Sequence, residues 1–153
     1  MTDAANVFAR SRMMSRISAK DTAPELAIRT GLHKLGFRYR LHAKDLPGTP
    51  DIVLPKYRTV VMVNGCFWHR HRCRLFRWPK NNQQFWKDKL ERNALRDKHN
   101  IEALLLQGWR VRVVWECAMR GGTALDQRRI IERLGRQIRS RRKFLEIEEK
   151  KRT

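Results

Sequence analysis

LPGTPDIVLPKYRTVVMVN, residues 46–64, is the stretch from which the fold can be read. Leu46-Pro47-Gly48-Thr49-Pro50 has the composition of a tight turn, because proline pre-sets one backbone angle and glycine accepts conformations other residues avoid. Asp51-Ile52-Val53-Leu54 then begins a strand with a carboxylate at its first position, and Pro55-Lys56-Tyr57 breaks it. Thr59-Val60-Val61-Met62-Val63 is a continuous apolar run rich in β-branched residues. Such a run is expected of a strand covered on both faces, so the sheet needs helices on either side.

The flanks supply them. Upstream, Phe37, Tyr39 and Leu41 alternate with Arg38, Arg40 and His42, the period-two pattern of a half-buried strand. Before that strand, Thr22 is placed to cap a helix with Pro24 and Glu25 in its first turn. Leu26, Ile28, Leu32 and Leu35 form its apolar face, and Gly36 is its stop. Downstream, residues 65–79 are irregular, aromatic and rich in His, Cys and Arg. A long helix is expected from about Gln84 to Gln107, with Phe85, Leu90, Ile101, Leu104 and Leu105 inward and Gly108 ending it. Val111, Val113, Val114 and Trp115 make a fourth strand, and Ile131, Leu134 and Ile138 mark a last helix from about Leu125 to Arg139. The expected organisation is a basic arm over residues 1–20 (Arg10, Arg12, Arg16 and Lys20), one domain over 21–140, and a charged, solvated tail over 141–153. Three successive strands make a meander, and a helical crossover brings the next strand in parallel. The expected class is therefore α/β, a mixed sheet flanked by helices in αβββαβ order. That order is also the core of the restriction-endonuclease-like nucleases, among many other α/β domains.

The chain has 153 residues, enough for one domain with a real core, and 41% of them are hydrophobic. Its charge is the anomaly: 35 Lys and Arg against 15 Asp and Glu give +20. Charge of one sign at this density opposes the compact state unless a polyanion neutralises it. Nucleic acid is the leading partner, since counterion release rewards clustered cations; an acidic membrane surface ranks second, and a basic ribosomal-type or chromatin-type protein without chemistry is the plain alternative. No stretch approaches the roughly 20 apolar residues of a membrane span, and the first residues lack the apolar core of a secretory signal. The expected location is the cytoplasm, where thiols stay reduced; for a bacterial chain with a DNA partner, that means on the nucleoid.

The three cysteines are an odd number, so they cannot all pair within the chain. Cys66, His69, His71 and Cys73 fall within eight residues, and Cys117 follows the fourth strand. Zinc in structural sites takes four Cys and His ligands in a tetrahedron. Three cysteines and one histidine supply that set, and adjacent strand ends would bring Cys66 and Cys117 together. Spacing does not decide between His69 and His71 for the fourth place. Asp51, at the start of a strand after a tight turn, is a candidate ligand for Mg²⁺, a hard ion that prefers oxygen donors. Glu25 and Asp97 are further scarce carboxylates in a basic chain. Metal nucleases of this fold usually place an acid and, two residues later, a lysine on the third strand. Here Val60-Val61-Met62-Val63 has neither, so a histidine just past the strand end, His69, is the candidate general base.

Met13-Met14-Ser15-Arg16-Ile17, Asp21-Thr22, Leu46-Pro47-Gly48-Thr49-Pro50-Asp51, residues 65–73 (GCFWHRHRC), Phe85-Trp86, Gly108-Trp109-Arg110-Val111 and Trp115-Glu116-Cys117-Ala118 resemble, in order and spacing, the very-short-patch (Vsr-type) mismatch repair endonucleases. The resemblance runs to about residue 135, and GCFWHxHxC together with WEC is highly specific. It implies a restriction-endonuclease-like fold and a nick in one strand of double-stranded DNA 5′ of the thymine in a T:G mispair, the lesion left when 5-methylcytosine deaminates. It implies that Asp51 and the backbone carbonyl of Val63 hold Mg²⁺, that His69 is the general base with Asp97 beside it, and that Glu25 orders the site. It assigns structural Zn²⁺ to Cys66, His71, Cys73 and Cys117. Phe67 and Trp68 would wedge into the duplex from the major groove and Met14 from the minor groove, with Trp86, Arg16 and Lys89 as further DNA contacts. Partners so implied are T:G-mismatched duplex, mismatch-repair proteins and a cytosine-5 methyltransferase system, with the protein acting as a monomer. Some relatives have histidine where this chain has Asn64; asparagine can donate a hydrogen bond there but cannot transfer a proton. The rivals are a zinc-stapled module that binds distorted DNA without cutting, and a restriction-type nuclease acting on unmismatched sites.

Overall fold

A computed structural model describes residues 21–150; Met14, Arg16 and the rest of the expected basic arm lie outside the described residues. The first helix, α1 (Ala23–Lys34), starts where its cap residue allows: the Thr22 side chain accepts from the Glu25 N–H, and proline sits in the first turn. Ile28 and Leu32, one turn apart, are fully buried. Gly36, at φ +94°, reverses the chain.

The strand expected from Phe37 is only two residues long, β1 (Arg40–Leu41). Phe37 turns into the core instead, its N–H bonded to the Leu32 carbonyl, and the Tyr39 hydroxyl donates to the Arg29 carbonyl at 2.8 Å. Period-two alternation was present, but Phe37 and Tyr39 join the core beneath the helices, and only Arg40 and Leu41 pair with the sheet, Leu41 exposed. The left-handed backbone of His42, at φ 47°, ends the strand. In the turn that follows, Gly48 has φ +74°, and an added Cβ would lie 3.0 Å from the Asn100 side chain, so both conformation and space favour glycine.

β2 (Ile52–Leu54) and β3 (Thr59–Asn64) form an antiparallel hairpin with Ile52 opposite Val61, joined by a 3₁₀ turn over Pro55–Tyr57. The chain then crosses by α2 (Gln83–Leu106) to β4 (Arg110–Trp115), parallel to β3 from Thr59–Arg110 to Asn64–Trp115. A short helix α3 (Glu116–Met119) and α4 (Ala124–Arg139) lead to β5 (Phe144–Ile147), parallel to β4. The sheet order is β1-β2-β3-β4-β5. The αβββαβ core is present in the expected order.

The fifth strand corrects the expectation of a solvated tail across 141–153. Charged residues on both sides obscured the short run Phe144-Leu145-Glu146-Ile147, which has too little length to register as a pattern. In the fold it supplies backbone partners to the outer side of β4, and Ile147 is fully buried.

Each face of the sheet has its own core. Ile52, Leu54, Val61 and Val114 pack with Ile28, Leu32, Leu134, Ile138 and Ile147 beneath α1 and α4. Val53, Val60, Met62, Val111 and Val113 pack with Leu104 of α2 on the other side. Covered on both faces, β3 is continuously apolar, as its sequence required. α1 and α4 approach so closely at Gly31 that a Cβ there would sit 2.6 Å from Ile131. The unexpected core member is Arg112 of β4, fully buried. Its guanidinium donates to the carbonyls of Gln137 (2.9 Å), Ser140 (3.1 Å) and Arg142 (2.8 Å), at the end of α4 and just beyond it, where helix carbonyls run short of partners. Burial pushes its pKa down to about 10. No helix among the described residues is long and apolar enough to cross a membrane.

Candidate functional site

The C-terminal ends of the parallel strands, where crevices form in open α/β sheets, gather the chemistry. β3 ends at Asn64, with Cys66 two residues on; β4 ends at Trp115, with Cys117 two residues on. Asp51 precedes β2, which runs antiparallel to β3, so its start lies beside the end of β3. The Val63 N–H donates to Asp51 Oδ2 at 2.7 Å. The turn and the pairing of two strands thus bring the Asp51 carboxylate against the backbone of Val63, through its N–H.

Glu25 of α1 stands beside Asp51, and the two carboxyls differ in character. Burial alone would raise the Glu25 pKa, but hydrogen bonds from His42, Arg29 and the Asp21 N–H outweigh it and hold the group below its ordinary value. Its Oε1 lies 2.8 Å from His42 Nε2 and its Oε2 accepts from Arg29 Nη2 at 3.0 Å. Asp51 goes the other way: burial raises it to about 7, the neighbouring Glu25 adds to the rise, and the Val63 N–H only partly offsets it. Two close carboxyls with pKa values pushed apart are a recurrent sign of a working site. Asp21, Glu25 and His42 also bring ligand atoms within 4.8 Å of one another. Sequence reasoning missed His42 and Arg29. His42 read as one polar member of a strand, and the i,i+4 spacing of Glu25 and Arg29 was the one signal available.

On the other side of the β3 end, His69 Nδ1 is hydrogen-bonded to Asp97 Oδ2 of α2. The His69 backbone N–H donates to the Gly65 carbonyl at 3.2 Å, fixing the turn from which the imidazole projects. With Nδ1–H donating to the carboxylate, Nε2 carries the lone pair, which is the tautomer a general base needs. A cavity of about 390 Å³ opens beside the pair, lined among others by Asn64, Lys98, Ile101, Val113 and Trp115. Val63 and Asn64 are consecutive, so Asp51 and His69 flank one strand end.

Cys66, His71, Cys73 and Cys117 have their ligand atoms within 4.8 Å of one another, a group that could hold a metal ion. All three thiols are free, with Cys66 and Cys117 buried. Burial pushes both of these thiols up, Cys66 the more strongly. The Cys117 N–H donates to Cys66 Sγ at 3.3 Å. His71 turns Nδ1 toward Cys117 Sγ at 3.6 Å and stacks its ring on Trp115, centroids 4.1 Å apart. Of the two histidines that spacing left undecided, His71 is the one grouped with the three thiols, while His69 is bonded to Asp97.

Phe67 and Trp68 lie at the centre of an aromatic cluster, 5.3 Å apart by centroid, with Trp86 5.4 Å from Phe67 and 6.1 Å from Trp68. Lys89 Nζ sits 5.4 Å from the Trp68 ring, within cation–π range. Trp86 is 2% exposed, so in this state it backs the pair instead of offering a surface. Its position on the inward face of α2 explains this: Phe85, one residue earlier, points outward at 39% exposure. Beside the cluster a cavity of about 540 Å³ is lined by Phe67, Trp78, Trp86, Arg77, Lys80 and Asn81. The Asn93 side chain, also not anticipated, donates to the Trp68 carbonyl at 3.2 Å and fixes this loop on α2.

The family model described as "DNA mismatch endonuclease Vsr" matches residues 2–75. The chain is 48% identical over 128 residues to the type II nicking enzyme V.XorIIP of Xanthomonas oryzae pv. oryzae, covering 84% of this chain and 94% of that one. It is 41% identical over 134 residues to the DNA mismatch endonuclease Vsr of Escherichia coli K12, covering 88% and 86%. With the type II nicking enzyme V.NmeAIP of Neisseria meningitidis serogroup A it shares 42% over 139 residues, covering 91% and 98%.

Proposed function

The chain belongs to the Vsr family of DNA mismatch endonucleases, and from that premise we propose that this DNA endonuclease nicks one strand of a duplex on the 5′ side of the thymine in a T:G mispair, with magnesium at Asp51 and His69 as general base. The observation that carries the reading is the convergence of Asp51 and the His69–Asp97 pair on the end of β3.

The residues fit a hard divalent cation. The Asp51 carboxylate and the main-chain oxygen of Val63, the residue whose N–H already meets Asp51, are oxygen donors of the kind magnesium prefers. Two carboxyls packed together, Asp51 and Glu25, carry charge that a cation would balance. When bound, magnesium supplies charge stabilisation at the phosphate and the leaving oxygen. The chain's own residues do the rest. His69 Nε2 takes the proton from the attacking water, and Asp97 stabilises the imidazolium that results. Glu25, anchored by His42 and Arg29, keeps its negative charge beside Asp51.

Zinc suits the second cluster: three sulfurs and one imidazole nitrogen make a closed tetrahedral set with no open position, which makes the role structural. It would tie the loop carrying Phe67, Trp68 and His69 to the ends of β3 and β4. Phe67 and Trp68 enter the duplex as wedges; unstacking a base step costs a few kcal/mol, least at a mispair, so the wedge converts mispairing into preference. The net charge of +20 favours the phosphate backbone. Cytosine-5 methylation followed by deamination is the chemistry that makes the T:G substrate, and a cytoplasmic, nucleoid-bound monomer acting with mismatch-repair proteins is the matching setting.

The test is a comparison of wild type with Asp51→Ala on one labelled T:G duplex with Mg²⁺, measuring binding and cutting separately. Binding retained with cutting abolished supports the reading. Wild-type protein that binds but never nicks makes the chain a non-catalytic DNA-binding module.

A further inference from the structure

We infer that the residues following β5, Glu148 and Glu149, are part of the metal centre: Glu148 is a positioning residue that fixes the orientation and tautomer of the ligand His71, and Glu149 secures the Cys117 thiolate. The inference rests on the proposed zinc site at Cys66, His71, Cys73 and Cys117.

β3, β4 and β5 are parallel neighbours, so their C-terminal ends lie along one edge of the sheet. The first delivers Cys66 and the second Cys117. The third ends at Ile147, paired with Val114 and fully buried in the core, so the next two residues emerge beside the cluster at a fixed place. Glu148 Oε2 lies 2.7 Å from His71 Nε2, while His71 Nδ1 faces Cys117 Sγ at 3.6 Å. An imidazole that ligates through Nδ1 must carry its proton on Nε2, and a carboxylate accepting that proton selects the ligating tautomer and increases its basicity. The His71 ring is further held flat on Trp115, leaving little freedom to turn away.

Glu149 acts on the same centre twice. Its backbone N–H donates to Cys117 Sγ at 3.4 Å, a bond that favours the thiolate. Its carboxylate accepts from the Arg74 backbone N–H at 2.9 Å and pairs with Arg74 Nε at 2.6 Å. Arg74 in turn follows the ligand Cys73 and reaches the carbonyls of Arg120 and, at 3.4 Å, Cys117. The segment after β5 therefore touches His71, Cys117 and the residue after Cys73, three points of the cluster at once.

The experiment follows zinc itself. Wild type, Glu148→Ala, Glu148→Gln, a chain ending at Ile147 and the control Lys150→Ala are loaded with zinc, and release to a chromophoric chelator is timed. The cobalt(II)-substituted proteins are compared by absorption. Orienting partners of ligating histidines are worth about 10–100-fold in affinity, so Glu148→Ala and the shortened chain should release zinc at least about tenfold faster with altered cobalt bands. Glu148→Gln, which keeps an acceptor without the charge, should fall between, and Lys150→Ala should match wild type. Should Glu148→Ala fail to fold, the Glu148→Gln comparison decides alone. Release at the wild-type rate with unchanged cobalt bands in Glu148→Ala and Glu148→Gln overturns the inference while leaving the zinc site standing. Wild-type protein that takes up no zinc overturns both.

Discussion

Replacing Asp51 by asparagine should make the magnesium-free protein more stable and catalytically dead. Burial, with Glu25 nearby, raises the Asp51 pKa from its ordinary 3.8 to about 7. The sign follows from proton linkage. Between those two values the native state holds a proton that the unfolded chain has lost, so stability falls as pH rises, and the full penalty is reached above pH 7. The displacement corresponds to about 4 kcal/mol as a ceiling, at 1.36 kcal/mol per pH unit. Asparagine keeps the shape and an oxygen to accept from the Val63 N–H, and it removes the charge. In magnesium-free buffer with zinc retained, urea unfolding should find Asp51→Asn more stable than wild type by roughly 1–4 kcal/mol at pH 8 and by under about 1 kcal/mol near pH 4. Adding Mg²⁺ should stabilise wild type by mass action and leave the variant unmoved. A variant no more stable than wild type at pH 8, or an advantage that does not change with pH, would mean that Asp51 is not a buried carboxyl held in readiness for a cation.

Three further outcomes are expected. His69→Ala should lower the single-turnover nicking rate by about 10²–10⁴, the usual worth of a positioned general base, with duplex affinity unchanged in a filter or anisotropy assay. Asn64→His, which puts a proton-transferring group beside His69 in the 390 Å³ cavity, should raise the rate or shift its pH profile; an unchanged rate and profile would retire the idea. Cys73→Ser should cost the protein its zinc by elemental analysis and at least about 3 kcal/mol of stability, close to 10 °C in Tm for a domain of this size.

The sequence revealed the parts governed by local or repeated signals. Thr22 as a cap, the apolar run of β3 and Gly108 at φ +86° each act within a few residues, and each is where it was read. The Cys66, His71, Cys73 and Cys117 group was legible because two cysteines and two histidines within eight residues, with a third cysteine after a neighbouring strand, have few other uses. What escaped depends on distant contacts. Phe144–Ile147 is a strand because β4 offers an unpaired side, which no four-residue run among charges can announce. Arg112 looks like the polar member of an alternating strand, yet it is buried because the end of α4 presents carbonyls 25–30 residues away. His42 meets Glu25 across 17 residues, through the chain reversal at Gly36 that lays β1 back beside α1. Trp86 carries the same aromatic signal as Phe67 and Trp68, and helix phase alone puts it beneath them.

Mismatch-directed nicking can be read by end-labelling each strand of a duplex with a single T:G mispair, in several methyltransferase-type contexts, and of its T:A counterpart, then incubating with the zinc-loaded protein and Mg²⁺. The expected product is one nick, on the thymine strand, immediately 5′ of the mispaired thymine, with the matched duplex intact. Equal cutting of matched and mismatched duplex, or cuts on both strands, would contradict it.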